Sequence, residues 1–372
     1  MNRNGNETMK LIHCADLHLD SKMSTNLSKE QAKERKNEIL RTFVRMVEYA
    51  KKNNVKVILI AGDMFDTRNV SAMVRNTVHS MIVQNPEIDF LYLRGNHDND
   101  NFLSKLEELP QNLYLFNDKW TTYTYGNIHI LGVELNEENS MTVYNSLVLD
   151  HDAFNIVTMH GQLSGYHSKD RAEVISLDDL KNKNIDYLAL GHIHGFHMDK
   201  IDARGIYCYP GCLEGRGFDE CEQKGFVVMD IDEETLKANV NFIKMACRTL
   251  YTLFVDVTGV ATTQNAATRI AKTIVETQYE SSSMVKIVLN GDVDVECELD
   301  TDFLEEQFAD YFYFVKVVDE TKLKVNYKDY EKDVSLKGEF VRLVSESELS
   351  DEEKSMVIRA GIMALQGEEI NL

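Results

Sequence analysis

The sequence predicts an α/β fold: two sheets packed as a sandwich with flanking helices, then a smaller α/β unit and terminal helices. Three observations carry this. Over the first hundred residues, apolar runs of strand length alternate with amphipathic stretches, the rhythm of a parallel sheet covered on both faces. From residue 113 the runs shorten and are separated by Asn, Asp and Gly, which marks a second, partly antiparallel sheet. Near residue 246 the strand–helix rhythm starts afresh.

The elements follow in order. The polar leader, residues 1–8, is set aside as a tag remnant or extension. Residues 10–15 form a buried strand, and Ser28 caps a helix over 29–53 whose apolar positions Ile39, Phe43, Met46 and Val47 share one face. A β-branched strand at 55–60 precedes a helix capped by Ser71, and a third strand lies at 90–93. A short helix is expected over 101–109, then strands at 113–116, 120–125, 128–133, 156–159, 187–190, 205–209, 225–231 and 237–243. The second unit alternates strand 250–257, helix 263–276, strand 284–289, helix 302–308 and strand 313–318. Two amphipathic segments, 336–344 and 350–365, close the chain; they pack back on the protein or dock a partner. The expected domains are therefore 9–245, 246–326 and 327–372.

The 372 residues carry a formal net charge of -21, and residues 248–372 hold 25 acidic against 13 basic side chains. A broadly basic nucleic-acid grip is excluded, so an anionic substrate has to be drawn by bound cations or a local patch. No apolar run approaches the roughly 18 residues that cross a bilayer. With no signal-peptide core and six cysteines outside any CxxC pair, the expectation is a cytoplasmic protein with free thiols and no membrane contact.

Five apolar strands end in metal-ligand chemistry: Asp16 and His18; Asp63 in GDMFD; Asn96, His97 and Asp98 in GNHD; His160; and His192 with His194 in GHIH. Each is ordinary alone, as a cap, a turn residue or a solvated histidine. Together they matter, because residues just beyond the carboxyl ends of strands in an open sheet face one crevice. Seven imidazole, carboxylate and amide donors there suit two borderline divalent ions such as manganese, iron or zinc. Asp63 is the natural bridge between them, and a histidine that is not a ligand is wanted for proton transfer.

The segments IHCADLHLD (12–20), AGDMFD (61–66), RGNHD (94–98) and LALGHIH (188–194), in that order, resemble the SbcD branch of the calcineurin-like metallophosphoesterases. YPGCLEGRGFDE (209–220) resembles the YhaO-like group within it. The resemblance covers residues 9–245 strongly and extends to a capping domain more loosely. It implies a two-sheet metallophosphoesterase sandwich. It also implies one metal on Asp16, His18, Asp63 and His194 and another on Asp63, Asn96, His160 and His192. His97 is then the catalytic histidine, oriented by Asp98. The family's usual metal is manganese and its usual reaction phosphodiester hydrolysis: 3'-5' exonuclease on duplex DNA ends and endonuclease on single strands or hairpins. It works in DNA repair and recombination beside an SbcC-like coiled-coil ATPase, commonly as a homodimer. Asp66 departs from the pattern, since relatives often have histidine there; Arg68 and His197 are further substrate or supporting candidates. Two other functions share these residues: hydrolysis of cyclic nucleotides or other small phosphodiesters, and a non-catalytic scaffold.

Overall fold

The structure, a computed structural model, describes residues 8–23, 27–66, 69–98, 102–106, 108–164 and 174–366. Arg68 and His167 lie outside the described residues, as does most of the polar leader. The chain divides into two compact units, Met1–Thr249 and Leu250–Leu372.

In the first unit, β1 (Thr8–Cys14) leads through α1 (Lys29–Lys52) to β2 (Val57–Ala61), and α2 (Ala72–Val83) leads to β3 (Asp89–Leu93) and β4 (Leu113–Leu115). Ser28 starts α1 with a full capping box: its hydroxyl accepts from the Gln31 N–H while the Gln31 side chain returns to the Ser28 N–H. Next come β5 (Thr121–Tyr125), β6 (Ile128–Gly132), α3 (Val143–Ser146), β7 (Phe154–His160), β8 (Gln162–Leu163), β9 (Val174–Ile175), α4 (Leu177–Leu180) and β10 (Tyr187–Gly191). The unit closes with β11 (His197–Lys200), β12 (Ile206–Tyr209), β13 (Gly225–Asp232) and β14 (Lys237–Lys244).

One six-stranded sheet runs β14-β13-β1-β2-β3-β4 and the other β11-β12-β10-β7-β6-β5. The first is parallel from β1 to β4, with β13 and β14 added antiparallel. Side chains alternate across its strands. Ile12, Ile58, Ile60 and Phe90 pack with Phe43, Met46 and Val78 of the helices. Leu11, Val57, Leu59 and Leu91 pack with Ile130, Ile156 and Ala189 of the second sheet. The first sheet is thus covered by helices on one face and by a sheet on the other, which explains why its central strands read as unbroken apolar runs. The fold is the mixed α/β sandwich that the sequence predicts. Over 101–109, the described residues form only a 3-10 turn, Leu103–Lys105. Strand β11, HMDK, has no apolar alternation and is set by antiparallel pairing with β12.

The second unit is built on a parallel three-stranded sheet, β15 (Leu250–Asp256), β16 (Met284–Asn290) and β18 (Phe314–Asp319), crossed by α5 (Thr263–Glu276) and α6 (Thr301–Phe308). A two-stranded ladder, β17 (Asp292–Asp294) with β19 (Lys322–Lys324), precedes α7 (Tyr327–Tyr330), α8 (Leu336–Ser345) and α9 (Asp351–Gln366). These last helices share a small core, in which Val341, Val344, Ile358 and Ile362 close on Val295 and Val325. They therefore pack against their own unit.

Candidate active site

The parallel register of β1, β2 and β3, and of β7 with β10, brings all five motif-bearing strand ends to one edge of the sandwich. Backbone bonds then zip the first two loops together. Asp16 N–H donates to the Gly62 carbonyl at 3.1 Å, His18 N–H to Asp63 at 3.0 Å and Leu19 N–H to Met64 at 2.9 Å. Asp16, His18, Asp63 and His192 all have positive φ, at 51°, 43°, 52° and 106°. For residues with a Cβ this left-handed backbone costs on the order of 1–3 kcal/mol each, and it persists where the surroundings over-determine it. Four of the seven expected ligands share it, and it turns their side chains toward the crevice. Two glycines permit the crowding: a Cβ on Gly62 would overlap the His160 ring, and one on Gly191 the Ala61 carbonyl.

The side chains converge. His18 Nε2 lies 3.1 Å from His194 Nε2. Asp63 Oδ2 lies 3.3 Å from His160 Nε2 and 4.0 Å from His18 Nε2, so one carboxylate reaches both halves of the site. Asn96 Oδ1 is 3.0 Å from His160 Nε2, and the His192 N–H donates to both oxygens of Asp16, at 2.9 and 3.0 Å. The His160 and His192 rings stand edge to face, 5.7 Å apart. Donor atoms of Asp16, His18 and His194, and of Asp16, Asp63 and His160, fall into two groups compact enough for one ion each. A third such group, His18, Asp66 and His97, brings in two residues outside the expected ligand set, Asp66 and His97.

The electrostatics fit divalent cations. Burial pushes the Asp63 carboxyl up, but the His160 and His18 imidazoles and the His97 N–H hold it well below the usual carboxylate range. Burial pushes His160 down, yet the Asp63 and Asp16 carboxylates outweigh it and lift the imidazole to about 9. Clustered carboxylates that draw a proton onto a buried imidazole are a site that calls for positive charge. His160 Nδ1 faces the Ala61 carbonyl at 2.9 Å; a carbonyl only accepts, so Nδ1 keeps its hydrogen and Nε2 is the nitrogen from which a bound cation would displace the second proton.

His97 sits at the rim. Its backbone N–H donates to Asp63 Oδ1 at 2.9 Å, and its side chain is 35% exposed. Asp98, expected to orient the His97 ring, does something else. Its carboxylate accepts the backbone N–H groups of Met64 (3.2 Å), Phe65 (3.0 Å) and Gly95 (3.0 Å), pinning the two loops together. Burial, then the charge of Asp63, raises it to about 6. The carboxylate beside the His97 ring is Asp66, 3.9 Å from Nδ1. An aspartate next in sequence points its side chain away when the turn needs its oxygens for backbone, and spacing alone does not reveal that. His197 bonds to the Tyr207 hydroxyl at 3.0 Å and belongs to none of the three ion-sized groups.

Three charged residues that the sequence left outside the ligand set stand behind it. Glu220 Oε1 lies 2.7 Å from His194 Nδ1, and Arg216 joins Glu220 (2.8 Å) to Asp66 (3.1 Å). In the sequence Asp66 stands out only as a departure from the family pattern, Arg216 only as a loop arginine open to a substrate contact or a salt bridge, and Glu220 only as a member of the glycine-rich stretch 209–220.

Residues 9–196 match the model of the calcineurin-like phosphoesterase family, and the chain belongs to that family. Its family is one of phosphoesterases. Among similar proteins, the uncharacterized metallophosphoesterase YhaO of Bacillus subtilis is 28% identical over 238 residues, 60% of this chain and 57% of that protein. The DNA double-strand break repair protein Mre11 of Sulfolobus acidocaldarius is 22% identical over 311 residues, 77% of this chain and 76% of that one. The SbcD component of the SbcCD nuclease of Staphylococcus saprophyticus is 26% identical over 265 residues, 61% of this chain and 67% of that one. Among solved structures, TT1561 of Thermus thermophilus has a TM-score of 0.39 at 10% identity, covering 63% of this chain and 99% of that one. Among the described residues, no helix is long and apolar enough to cross a membrane.

Proposed function

We propose that the chain is a manganese-dependent DNA nuclease of the SbcD type, with 3'-5' exonuclease action on duplex ends and endonuclease action on single strands and hairpins. The observation that carries the reading is the meeting of Asp16, His18, Asp63, Asn96, His160 and His194 donors at one strained sheet edge. The Mre11 and SbcD relatives support the DNA substrate.

In this reading Asp16, His18, Asp63 and His194 would hold one ion, and Asp63, Asn96, His160 and His192 the other. Bound there, the ions supply Lewis-acid neutralisation of phosphoryl charge and a nucleophile at neutral pH. The protein does the rest. The Ala61 carbonyl fixes the His160 tautomer, the left-handed loops hold the donors in place, and Asp98 locks the turn that carries His97. His97, open to solvent at the rim, holds the proton for the leaving oxygen, with Asp66 beside its Nδ1.

The net charge of -21 fits a nuclease whose hold on DNA comes from the ions and from a partner, here an SbcC-like coiled-coil ATPase. Exposed apolar residues on α8 and α9, including Leu343, Met356 and Val357, are the surface we assign to that partner, and α1 and α2 are the elements we assign to a homodimer.

The test is cleavage of end-labelled duplex, single-stranded and hairpin DNA with manganese, beside bis-p-nitrophenyl phosphate and a cyclic nucleotide. DNA is expected to be cut, and His97→Ala to slow cutting by roughly 10²–10⁴-fold while manganese still binds. Preference for the cyclic nucleotide moves the substrate to small phosphodiesters. Full activity in Asp63→Ala overturns the two-ion site.

A further inference from the structure

We propose that Asp66, Arg216 and Glu220 form a positioning clamp that fixes the imidazoles of His194 and His18, and that it sets the affinity of one of the two metal positions without touching the other. This rests on the reading that the sheet edge binds two divalent ions.

The stronger arm is Glu220 on His194. Glu220 is buried, and its Oε1 lies 2.7 Å from His194 Nδ1. Arg216 Nη2 also lies 3.3 Å from that nitrogen while donating to Glu220 Oε1 at 2.8 Å. Either contact alone would leave the tautomer open; together they settle it. Were Nδ1 to accept from Arg216, its lone pair would face a carboxylate oxygen at 2.7 Å, acceptor against acceptor. The hydrogen therefore sits on Nδ1 and is donated to Glu220, leaving Nε2 as the ligating nitrogen. Glu220 is itself held: its Oε2 accepts the Arg216 backbone N–H at 2.7 Å.

The other arm is Asp66 on His18. Asp66 Oδ1 lies 3.2 Å from His18 Nδ1 and 3.1 Å from Arg216 Nη1, and Asp66 Oδ2 accepts the Ser21 hydroxyl at 2.9 Å. His18 Nδ1 is poorly aligned for a hydrogen bond, so this arm is the weaker. One guanidinium thus spans two carboxylates, each set behind the Nδ1 of one imidazole, while the two Nε2 atoms meet at 3.1 Å. Arg216 is a strut between carboxylates, not a hand held out to substrate phosphate.

The second metal position is built differently. His160 Nδ1 is backed by the Ala61 carbonyl, a neutral acceptor that any sequence provides. A carboxylate behind an imidazole raises its basicity, and loss of such a partner typically costs about 10–100-fold in metal affinity. The cost here falls on the position held by His18 and His194.

The experiment is calorimetric titration of manganese(II) into the full-length wild type, Glu220→Gln, Arg216→Gln and Asp66→Asn. Melting of each protein in chelator serves as the folding control. In Glu220→Gln, one of two binding events is expected to weaken about 10–100-fold with the other unchanged; Asp66→Asn is expected to move the same event less. Unchanged isotherms in folded Glu220→Gln and Arg216→Gln, or equal weakening of both events, overturn the clamp. A wild type that binds no pair of ions overturns the functional reading instead. Should Glu220→Gln fail to fold, histidine nitrogen NMR of the zinc-loaded wild type decides. A His194 Nδ1–H with Nε2 bound supports the clamp, and coordination through Nδ1 overturns it.

Discussion

Two arginines in the first unit are each held between two carboxylates, and their surroundings make them opposites. Arg35 is wholly buried. It pairs with Glu38 and Glu214 and donates to the Gly215 carbonyl at 2.8 Å. Glu214 also accepts the Thr42 hydroxyl (2.6 Å) and the Cys247 N–H (2.5 Å), while Arg248 joins Glu38 at 2.7 Å. Two cations meet two buried anions, and Arg248 also reaches the exposed Glu34 at 3.3 Å. Arg216 is 21% exposed, a single cation between Asp66 and Glu220, with imidazoles on the far side of both. That set keeps an unbalanced negative charge. Burial pushes both carboxyls up, yet the imidazoles and Arg216 hold them below their usual range. A balanced network stabilises the fold; an unbalanced one turned toward a cleft is available to support a cation.

The contrast is most exposed to refutation on stability. Removing one partner of a buried ion pair strands the others and costs about 3–5 kcal/mol. Arg35→Ala is therefore expected to lower Tm by roughly 10 °C while the surviving folded protein binds manganese within about threefold of wild type, a margin well inside the 10–100-fold expected of Glu220→Gln. Thermal melts beside a manganese titration check both halves. An unshifted melt would mean that the interior network is as dispensable as a surface pair.

The same contrast separates what was legible in the sequence from what was not. Ligand types at strand ends could be read because each follows an apolar run and the parallel order sends every carboxyl end to one edge. Helices α1 and α2 could be read because Ser28 and Ser71 cap apolar faces. Residues 101–109 misled, since Leu103, Leu106 and Leu109 mimic a helical face, yet the described residues hold only one 3-10 turn. The roles of Asp66, Arg216 and Glu220 were hidden because Arg216 meets Asp66 across 150 positions and through loops whose course no periodicity encodes. Asp98 was misplaced for the related reason that its partners are backbone N–H groups.

Acid tests how the interior treats a titratable group that has no such network around it. His13 sits between the sheets, its Nδ1 2.9 Å from the Tyr187 hydroxyl, and burial pushes its pKa down to about 3. The unfolded chain takes up this proton near pH 6.5, while the folded protein resists until about pH 3. Between those values the unfolded state binds more protons, so stability falls as pH falls. By pH 5 the loss from this group is about 2 kcal/mol. Urea melts at pH 8 and 5 are expected to show wild type losing that much more than His13→Gln. Equal losses would place the imidazole in contact with water.

A subtler question is whether the two arginine networks are separate at all. They share one peptide group: the Gly215 carbonyl accepts from Arg35, and the Arg216 N–H donates to Glu220 at 2.7 Å. A planar peptide moves as a unit, so loosening its oxygen should shift its nitrogen, and with it the carboxylate behind His194. Arg35→Lys keeps the charge but not the fork that reaches carboxylates and carbonyl together. Combined with Glu220→Gln in a double-mutant cycle on manganese affinity, it is expected to show a coupling of about 0.5 kcal/mol, because once Glu220 is neutral the tilt of the peptide has less to act on. Additivity within about 0.3 kcal/mol would mean that the peptide does not transmit, and that the interior arginine contributes to the fold alone.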